Sequence, residues 1–494
     1  MKAHDPVGSA VPSVSKLHTV RATSIIGGAA MGNIAFGLVR MKVAAVILGP
    51  VGIGTIGLLQ NLLNTAASIG SLNLGVAGAR EIVASESSGQ RKSAAARRAV
   101  LLATFALAVG SGLAFWLFRS QLAVLLFQDR DRGSDVGWLA LGVAAVAGAG
   151  YQTAVLSAGR RIGDIARLNL LTAAIAALVG SICIVRWKDG GILPFILAAP
   201  VATLTLGWFF VRRATSGLMQ SRAGPIAPHV ISVVKLGGAL TTSIFVSLCG
   251  QLAIRTLVER KLGAVALGHF QAAWTVTTVY LAFIFQTMAN DYLPRLTAAL
   301  TDRNQAQGLV ESQAEVGFLL AAPILLAMIG GAPFILSLLY TGEFVEATTL
   351  LRLQMLGDMV RLAIWPVTLV LLAGGASREY AVTDIVGTAI LVAMAAVLLP
   401  SLGLASAGIA YIIMNVVVGA AVMLIVYRRY SVVLGGRATR TFALLAASCG
   451  TTFLLTFLSV TAGALAGIAA ASLWAGWAIF HLRPATAFER TKAN

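Results

Sequence analysis

The chain has 494 residues, of which 58% are hydrophobic and only 11% charged, where ordinary soluble domains are about 25% charged; its mean hydropathy is +0.85. A soluble enzyme is excluded. The formal net charge of +18, from 37 Lys and Arg against 19 Asp and Glu, does not indicate nucleic acid, because the cations gather in short segments between apolar runs, where they set membrane topology.

Runs long enough to cross a hydrocarbon core of about 30 Å as helices occur first at 19–48, 52–80, 95–118, 136–158, 166–187 and 190–211. Residues 1–18 ahead of them are polar, and no small-residue cleavage site follows the first run, which is therefore expected to persist as a helix. Residues 212–235 carry Arg212, Arg213, Arg222 and Lys235 beside Gly224, Pro225 and Pro228, the composition of a basic connector. A second set follows at 236–258, 264–292, 311–339, 345–373, 379–399 and 402–427, with a further pair at 440–460 and 463–482 inside 428–482, and a tail at 483–494. The expected fold is an all-α integral membrane protein of about fourteen transmembrane helices, with an N-lobe at 19–211 and a C-lobe at 236–427 of six helices each and two extra C-terminal helices. The three cysteines, Cys183, Cys249 and Cys449, lie within apolar runs and suggest packing rather than disulfides or zinc.

Counting loop cations places both termini in the cytoplasm. Arg91, Lys92, Arg97 and Arg98, then Arg160, Arg161 and Arg167, then the connector, then Arg428, Arg429, Arg437 and Arg440 fall on one side. The other side is poorer: Arg119, Arg130 and Arg132 are diluted by Asp129, Asp131 and Asp135, Arg186 and Lys188 form a pair, and Glu343 and Glu346 stand without a cation.

The two halves share a pattern. At an offset of 263 − 49 = 214 positions, Gly49 matches Gly263, and the same offset pairs Leu48 with Leu262, Val51 with Val265, Gly54 with Gly268 and Arg21 with Lys235. Leu-Ala-Val-Leu-Leu-Phe127 resembles Ile-Leu-Ser-Leu-Leu-Tyr340 near that offset. An even number of helices per half makes the copies parallel repeats, related by an axis along the membrane normal. Gly52-Ile-Gly-Thr-Ile-Gly57 fits the G-x-G-x-x-G pattern of dinucleotide sites, but no strand precedes it and no acid follows until Glu81. The glycines are expected instead to make a turn by Pro50 and to let helices pack closely.

Polar residues inside membrane spans face a bundle interior or a watery cavity, which makes them site candidates. Asn33, Phe36 and Arg40 share a helical face, as do Asn61, Asn64, Ser68 and Ser71. In the second half Ser243, Ser247, Gln251 and Arg255 step by four, and Gln271, Thr275 and Thr278 form a comparable stripe, followed by Gln286 and Asn290. For a lone Ser or Thr the alternative is a bond between neighbouring helices, but four stripes in equivalent helices argue for a hydrophilic cavity between the lobes. Arg40, Lys42, Arg255 and Arg361 are the candidates to hold a diphosphate, since a guanidinium stays charged when desolvated and binds phosphate through paired hydrogen bonds. Arg352 is a further cation of the tenth span, and snorkelling to head groups is the alternative for Lys42 and Arg40. Asp291, Asp358 and Asp384 are the acids placed to carry a coupling proton or sodium ion, with capping or ion pairing as the alternative. No nucleophile elbow, phosphate loop, metal pair or nucleotide domain is present, and the five histidines are scattered, so neither an enzyme nor an ATP-driven pump is expected and no resident cofactor is implied.

The stretch Lys42-Val-Ala-Ala-Val-Ile-Leu-Gly-Pro-Val-Gly-Ile-Gly-Thr-Ile-Gly, followed by Gln60-Asn61-Leu62 and by Gly-Ser-Leu-Asn-Leu-Gly-Val-Ala-Gly-Ala at 70–79, resembles the opening of the Wzx-type polysaccharide flippases of the multidrug/oligosaccharidyl-lipid/polysaccharide exporter superfamily. Leu-Leu-Tyr340-Thr-Gly-Glu-Phe344 resembles that family's C-terminal-half signature. The resemblance implies two six-helix lobes around a central cavity. It also implies a substrate of undecaprenyl-diphosphate-linked oligosaccharide, moved from the cytoplasmic to the periplasmic leaflet of a bacterial inner membrane for O-antigen or exopolysaccharide synthesis, with a polysaccharide polymerase and a chain-length regulator as partners. The cationic residues match no invariant family motif and rest on the physical argument. The competing expectations are a cation-coupled multidrug exporter, which calls for acids in the cavity, a peptidoglycan-precursor flippase, and a membrane enzyme such as a polymerase, which calls for clustered His and Asp.

Overall fold

The computed structural model describes residues 16–86, 89–215 and 224–482. The segments 1–15 and 483–494, and Arg222 of the connector, lie outside the described residues, as do the side chains of Ser243 and Asn290. Every regular element described is helical, as backbone polar groups in lipid require. In chain order these are α1 (Lys16–Ser71), α2 (Leu74–Glu86), α3 (Gln90–Leu117), α4 (Arg119–Phe127), α5 (Gly133–Ala158), α6 (Ile162–Trp187), α7 (Ile192–Thr215), α8 (Ala227–Ala299), α9 (Arg303–Leu339), α10 (Thr348–Ala373), α11 (Ser377–Leu402), α12 (Ala405–Tyr430), α13 (Gly436–Leu455) and α14 (Val460–Leu482).

Two of these helices are double. The backbone leaves helical geometry at Gly49 (φ 62°, ψ −163°) within α1 and at Gly263 (φ 85°, ψ 175°) within α8. Positive φ of this kind suits a residue without Cβ. Pro50 follows in the first turn of the next arm, where its missing N–H removes no intrahelical bond. The turn thus sits on Gly49 itself, one residue before the proline, and its repeat partner makes the same turn.

The side-chain contacts set the direction of each helix. The first arm of α1 runs parallel to α6, since Gly32 meets Leu170 and Arg40 meets Gly180. The second arm continues through α2 parallel to α5, with Gly142 at Leu63 and Gly78 at Ala154. Helix α7 is antiparallel to α6, with Thr203 bonded to Thr172 and Phe195 at Gly180, and parallel to α5, with Gly142 at Leu197 and Gly207 at Gln152. The two arms of α1 therefore form a hairpin. The second half repeats this: Ser247 meets Asp384 and Gly250 meets Thr388, so the first arm of α8 parallels α11. Tyr280 meets Asp358 and Tyr292 meets Pro366, so its second arm parallels α10. Helices α1, α5, α6 and α7 thus correspond to α8, α10, α11 and α12.

Ten described segments are long and apolar enough to cross a membrane, or up to eleven if the bent pair Ile244–Gln286 and Asp291–Ala299 is one span. Segments 28–86 and 162–215, of 59 and 54 residues, would reach about 90 Å and about 80 Å as straight helices at 1.5 Å per residue, too far for one crossing. They double back at Gly49 and at the 3₁₀ turn Lys188–Gly191, and α8 does so at Gly263. Dividing there recovers the fourteen expected passes. Gly49 and Gly263 then share one membrane face, called here the turn face; α1 enters from the other, the terminal face.

Several boundaries differ from the sequence expectation. The run 52–80 breaks at Leu72 and Asn73, both with positive φ of 42° and 48°, and the loop expected after residue 118 begins as the short helix α4. Helix α7 continues through Arg212 and Arg213, and Lys235 lies on α8, so these cations ride on helices.

The lobes meet along α1 and α8. A Cβ on Gly54 would stand 2.8 Å from the Gly268 amide nitrogen, and one on Gly268 would stand 1.9 Å from the Pro50 carbonyl oxygen. No side chain fits at either position, and the backbones of the two lobes touch there. Helices α13 and α14 lie against α9, with Phe442 of α13 over the fully buried Phe318, ring centroids 5.7 Å apart.

Candidate functional site

A polar cavity of about 300 Å³ opens inside the second lobe, walled by both arms of α8 and by α10, α11 and α12. These helices are apolar toward lipid but bring a carboxylate, a guanidinium, amides and hydroxyls to their common interior. On α11, Asp384 accepts a hydrogen bond of 2.6 Å from the Ser247 hydroxyl of α8. On α10, Arg361 donates to the Tyr411 hydroxyl of α12 at 3.2 Å. Tyr411 in turn donates to Asp358 Oδ1 at 2.8 Å, and Tyr280 donates to Asp358 Oδ2 at 2.7 Å.

Asp358 is fully buried and lies one turn before Arg361 on the same helix. Its two oxygens are satisfied by phenols, and a single phenol links it to the guanidinium. A buried carboxylate persists in a membrane span only with such partners. Asn415 donates to the Tyr411 carbonyl at 2.8 Å one turn along α12 and faces the cavity.

Arg255 stands one turn beyond Gln251, toward the turn face. It is 3% exposed. Its Nη1 donates to the Gln251 carbonyl at 3.0 Å and its Nε to the Gln271 side-chain oxygen at 3.0 Å. The guanidinium lies 5.6 Å from the ring centroids of both Phe270 and Trp274, a distance at which a cation is attracted by the ring face. Among the described residues these partners are all neutral, so the Arg255 charge is uncompensated at close range. Gln271 passes the network on to Thr275 at 3.1 Å and packs over Gly57 of the first lobe.

The structure thus brings together Gln251, Arg255, Gln271, Thr275, Arg361, Asp358 and Asp384 in and beside one cavity. This cavity lies within the second lobe, whereas the stripes had suggested a space between lobes. The other candidates lie elsewhere. Arg40 turns into the first lobe, where it donates to the Phe195 carbonyl, stacks over the Phe195 ring at 3.8 Å and leaves its buried Nε without a partner. Asn33, expected on the same face, is exposed. Lys42 donates to the Ser337 carbonyl at 3.1 Å and to the Tyr340 carbonyl, so its ammonium caps the C-terminus of α9, where a cation complements the helix dipole. Asn61 is buried with its side-chain oxygen unpaired. One turn on, Thr65 reaches the Leu248 carbonyl of the second lobe at 3.4 Å. Asn64 is exposed and accepts from Gln60, and Ser68 bonds its own helix at Thr65. Asp291 forms an exposed pair with Arg295 at 2.8 Å, away from the cavity.

Sequence reasoning passed over Tyr280, Tyr411, Trp274 and Asn415. The signal was present: aromatic residues with a polar tip concentrate at membrane interfaces, whereas Tyr280 and Tyr411 fall inside apolar runs and so require an interior partner.

No protein-family model and no curated protein matches the chain. Solved structures do match it in fold. An inward-facing multidrug resistance MATE family transporter of the MOP superfamily superposes with a TM-score of 0.67 at 15% identity, covering 81% of this chain and 98% of the transporter. The lipid II flippase MurJ in an inward closed conformation gives a TM-score of 0.69 at 11% identity, covering 95% and 100% respectively. A MOP superfamily transporter from Pyrococcus furiosus, described by a reversed polarity of its binding pocket, gives 0.57 at 13% identity over 83% and 96%. The chain therefore has the two-lobed transporter fold that the MATE exporters and MurJ share, and its structural neighbours are transporters, not enzymes.

Proposed function

We propose that this multi-pass membrane protein is a flippase for an anionic lipid-linked oligosaccharide, of the undecaprenyl-diphosphate class, carried across a bacterial inner membrane for surface polysaccharide synthesis. The observation that supports this reading is the uncompensated Arg255 guanidinium beside the polar cavity, with Arg361 on its wall. A diphosphate is matched by paired guanidinium donors, and the amides of Gln251 and Asn415 with the hydroxyls of Thr383 and Thr388 suit sugar hydroxyls.

The barrier to unassisted flipping is desolvation of the polar head. A hydrated cavity opened to each leaflet in turn lowers it, while direction requires a gradient that biases one state. Asp384 and Asp358 are the groups proposed to couple a proton or sodium ion. On the cation distribution, the terminal face is the cytoplasmic one.

The MurJ likeness in fold favours a second reading, transport of a peptidoglycan precursor, with the same cavity chemistry. A cation-coupled drug exporter is the third. Purified protein in liposomes distinguishes them: acceleration of an undecaprenyl-diphosphate oligosaccharide, and not of lipid II or of a cationic drug, is expected. Failure to accelerate any diphosphate-linked glycolipid overturns the flippase reading. In cells, deletion is expected to remove surface polysaccharide without lysis or drug sensitivity.

A further inference from the structure

Arg255 is the cation the proposed substrate needs, yet in this state it is withheld. It is 3% exposed, and it stands beside the cavity without being one of the residues that line it. Two of its donors are already engaged, Nη1 by the Gln251 carbonyl and Nε by the Gln271 side-chain oxygen, each at 3.0 Å. A diphosphate gains the whole guanidinium only by displacing a partner, and of the two only Gln271 offers a side chain that can move.

What holds the Gln271 amide in place comes from the other lobe. Gly57 of α1 is its repeat partner, since 271 − 57 = 214, just as Gly54 is the partner of Gly268. Equivalent positions meet at the axis between the lobes, and two side chains cannot share it. The first lobe leaves the space empty and the second fills it: a Cβ on Gly57 would stand 2.3 Å from Cδ of Gln271 and 2.4 Å from both its Cγ and its Oε1. The oxygen that accepts from Arg255 therefore occupies the place of the missing Gly57 side chain. At the other end of the amide, Nε2 donates to the Thr275 hydroxyl at 3.1 Å. The cation itself is one-sided, because at the same offset Arg255 corresponds to Met41.

The position of this contact gives it a direction. Gly57 and Gln271 each lie eight residues past their turn glycines, Gly49 and Gly263, about 12 Å in from the turn face and short of the middle of a core of about 30 Å. Rocking that opens the turn face parts the lobes here. The amide then loses its backing and Arg255 is freed. In reverse, a diphosphate that draws Arg255 away leaves Gln271 without its partner and loosens the contact. The two effects are one coupling, equal in size.

We propose that Gln271 is the positioning residue that ties diphosphate binding to the contact between the lobes: wedged over Gly57, it holds Arg255 back while the turn face is closed and releases it when that face opens. This rests on the diphosphate reading and adds the step that makes affinity differ between the two states, without which a ligand moves no equilibrium. The purified full chain is titrated with an undecaprenyl-diphosphate oligosaccharide, native mass spectrometry giving the affinity and reconstituted liposomes the flipping rate. Gly57→Ala puts a methyl group where the Gln271 amide sits, and the nearest atoms it meets all belong to that side chain. It is expected to bind the lipid about tenfold more tightly, as for removal of a competing charge-assisted hydrogen bond, and to flip more slowly at saturation because release is held back. Gln271→Ala is expected to do the same without adding bulk at the seam. Gly57→Ala placed on top of it is expected to add nothing, since both act through one amide. A contact that only supports the fold would instead lower the thermal transition and weaken binding. No retention by the unaltered chain, or equal retention by Arg255→Gln, removes the diphosphate reading and the proposal with it. Retention that depends on Arg255 but is unchanged or weakened in either variant that folds, or effects of the two that add, overturns the proposal alone.

Discussion

Gly54 of the first lobe and Gly268 of the second pack backbone to backbone where α1 crosses α8, at positions that are themselves repeat partners. The axis relating the lobes therefore passes beside this contact. A Cβ on Gly268 would fall 1.9 Å from the Pro50 carbonyl, which is backbone and cannot swing aside. Gly268→Ala is expected to destabilise the protein by about 1–3 kcal/mol through overpacking, visible as a lowered thermal transition in detergent. A transition unchanged from that of the unaltered protein would mean the lobes do not meet here.

That contact was half legible in the sequence. The offset of 214 paired Gly54 with Gly268 and Gly49 with Gly263, because glycine at a turn and at a close approach has no substitute and its spacing survives in the pattern. The helix count, the lobes and the extra pair followed from apolar runs alone. What escaped was the partner of each polar group. Arg40, Lys42 and Arg255 look alike as cations near helix ends, yet one binds a carbonyl of α7, one caps α9 and of the three only Arg255 lies beside the cavity, one turn from Gln251 on its wall. Helical periodicity reports which face a side chain leaves from, not which neighbour stands opposite. Tyr411 and Asp358 are 53 residues apart, and no local pattern links them.

Asp358 and Arg361 make a coupled pair through Tyr411. Asp358→Ala strands a buried guanidinium and two phenol hydroxyls, and a destabilisation of about 3–5 kcal/mol is expected from breaking one side of such a group. Asp358→Leu combined with Arg361→Leu removes both charges and is expected to recover most of the loss. A double-mutant cycle on thermal or denaturant unfolding measures the coupling. Strict additivity of the two single changes would exclude the tyrosine-bridged arrangement.

Lys42 and Arg255 are both candidates for the diphosphate on sequence, Lys42 with snorkelling as its alternative, and their surroundings separate them. Lys42→Gln removes a cap on α9, so a modest stability loss of about 0.3–1 kcal/mol is expected, with flipping per folded molecule unchanged. Arg255→Gln removes the uncompensated charge beside the cavity. Its flipping rate in liposomes is expected to fall about tenfold to a hundredfold, as for loss of a charge-assisted bond of about 1.5–3 kcal/mol. Arg255→Lys is expected to restore only part, because an ammonium cannot make the paired contact. Equal flipping by all three variants would remove Arg255 from the substrate site.

Ser247 and Asp384 offer the sharpest test of coupling. Their 2.6 Å bond joins α8 to α11 across the cavity, so a proton or sodium ion arriving at Asp384 competes with the Ser247 hydroxyl for the same carboxylate and loosens the link between two helices. Ser247→Ala removes that competitor and leaves the carboxylate, and the gradient-driven rate is expected to persist with a shifted dependence on ion concentration. Asp384→Asn keeps the hydrogen bond and abolishes the charge. Accumulation against a gradient is then expected to vanish, while downhill flipping in liposomes without a gradient continues at a measurable rate. Retention of gradient-driven accumulation by Asp384→Asn would move the coupling to Asp358, whose two phenol partners make it the remaining carboxylate beside this cavity among the described residues.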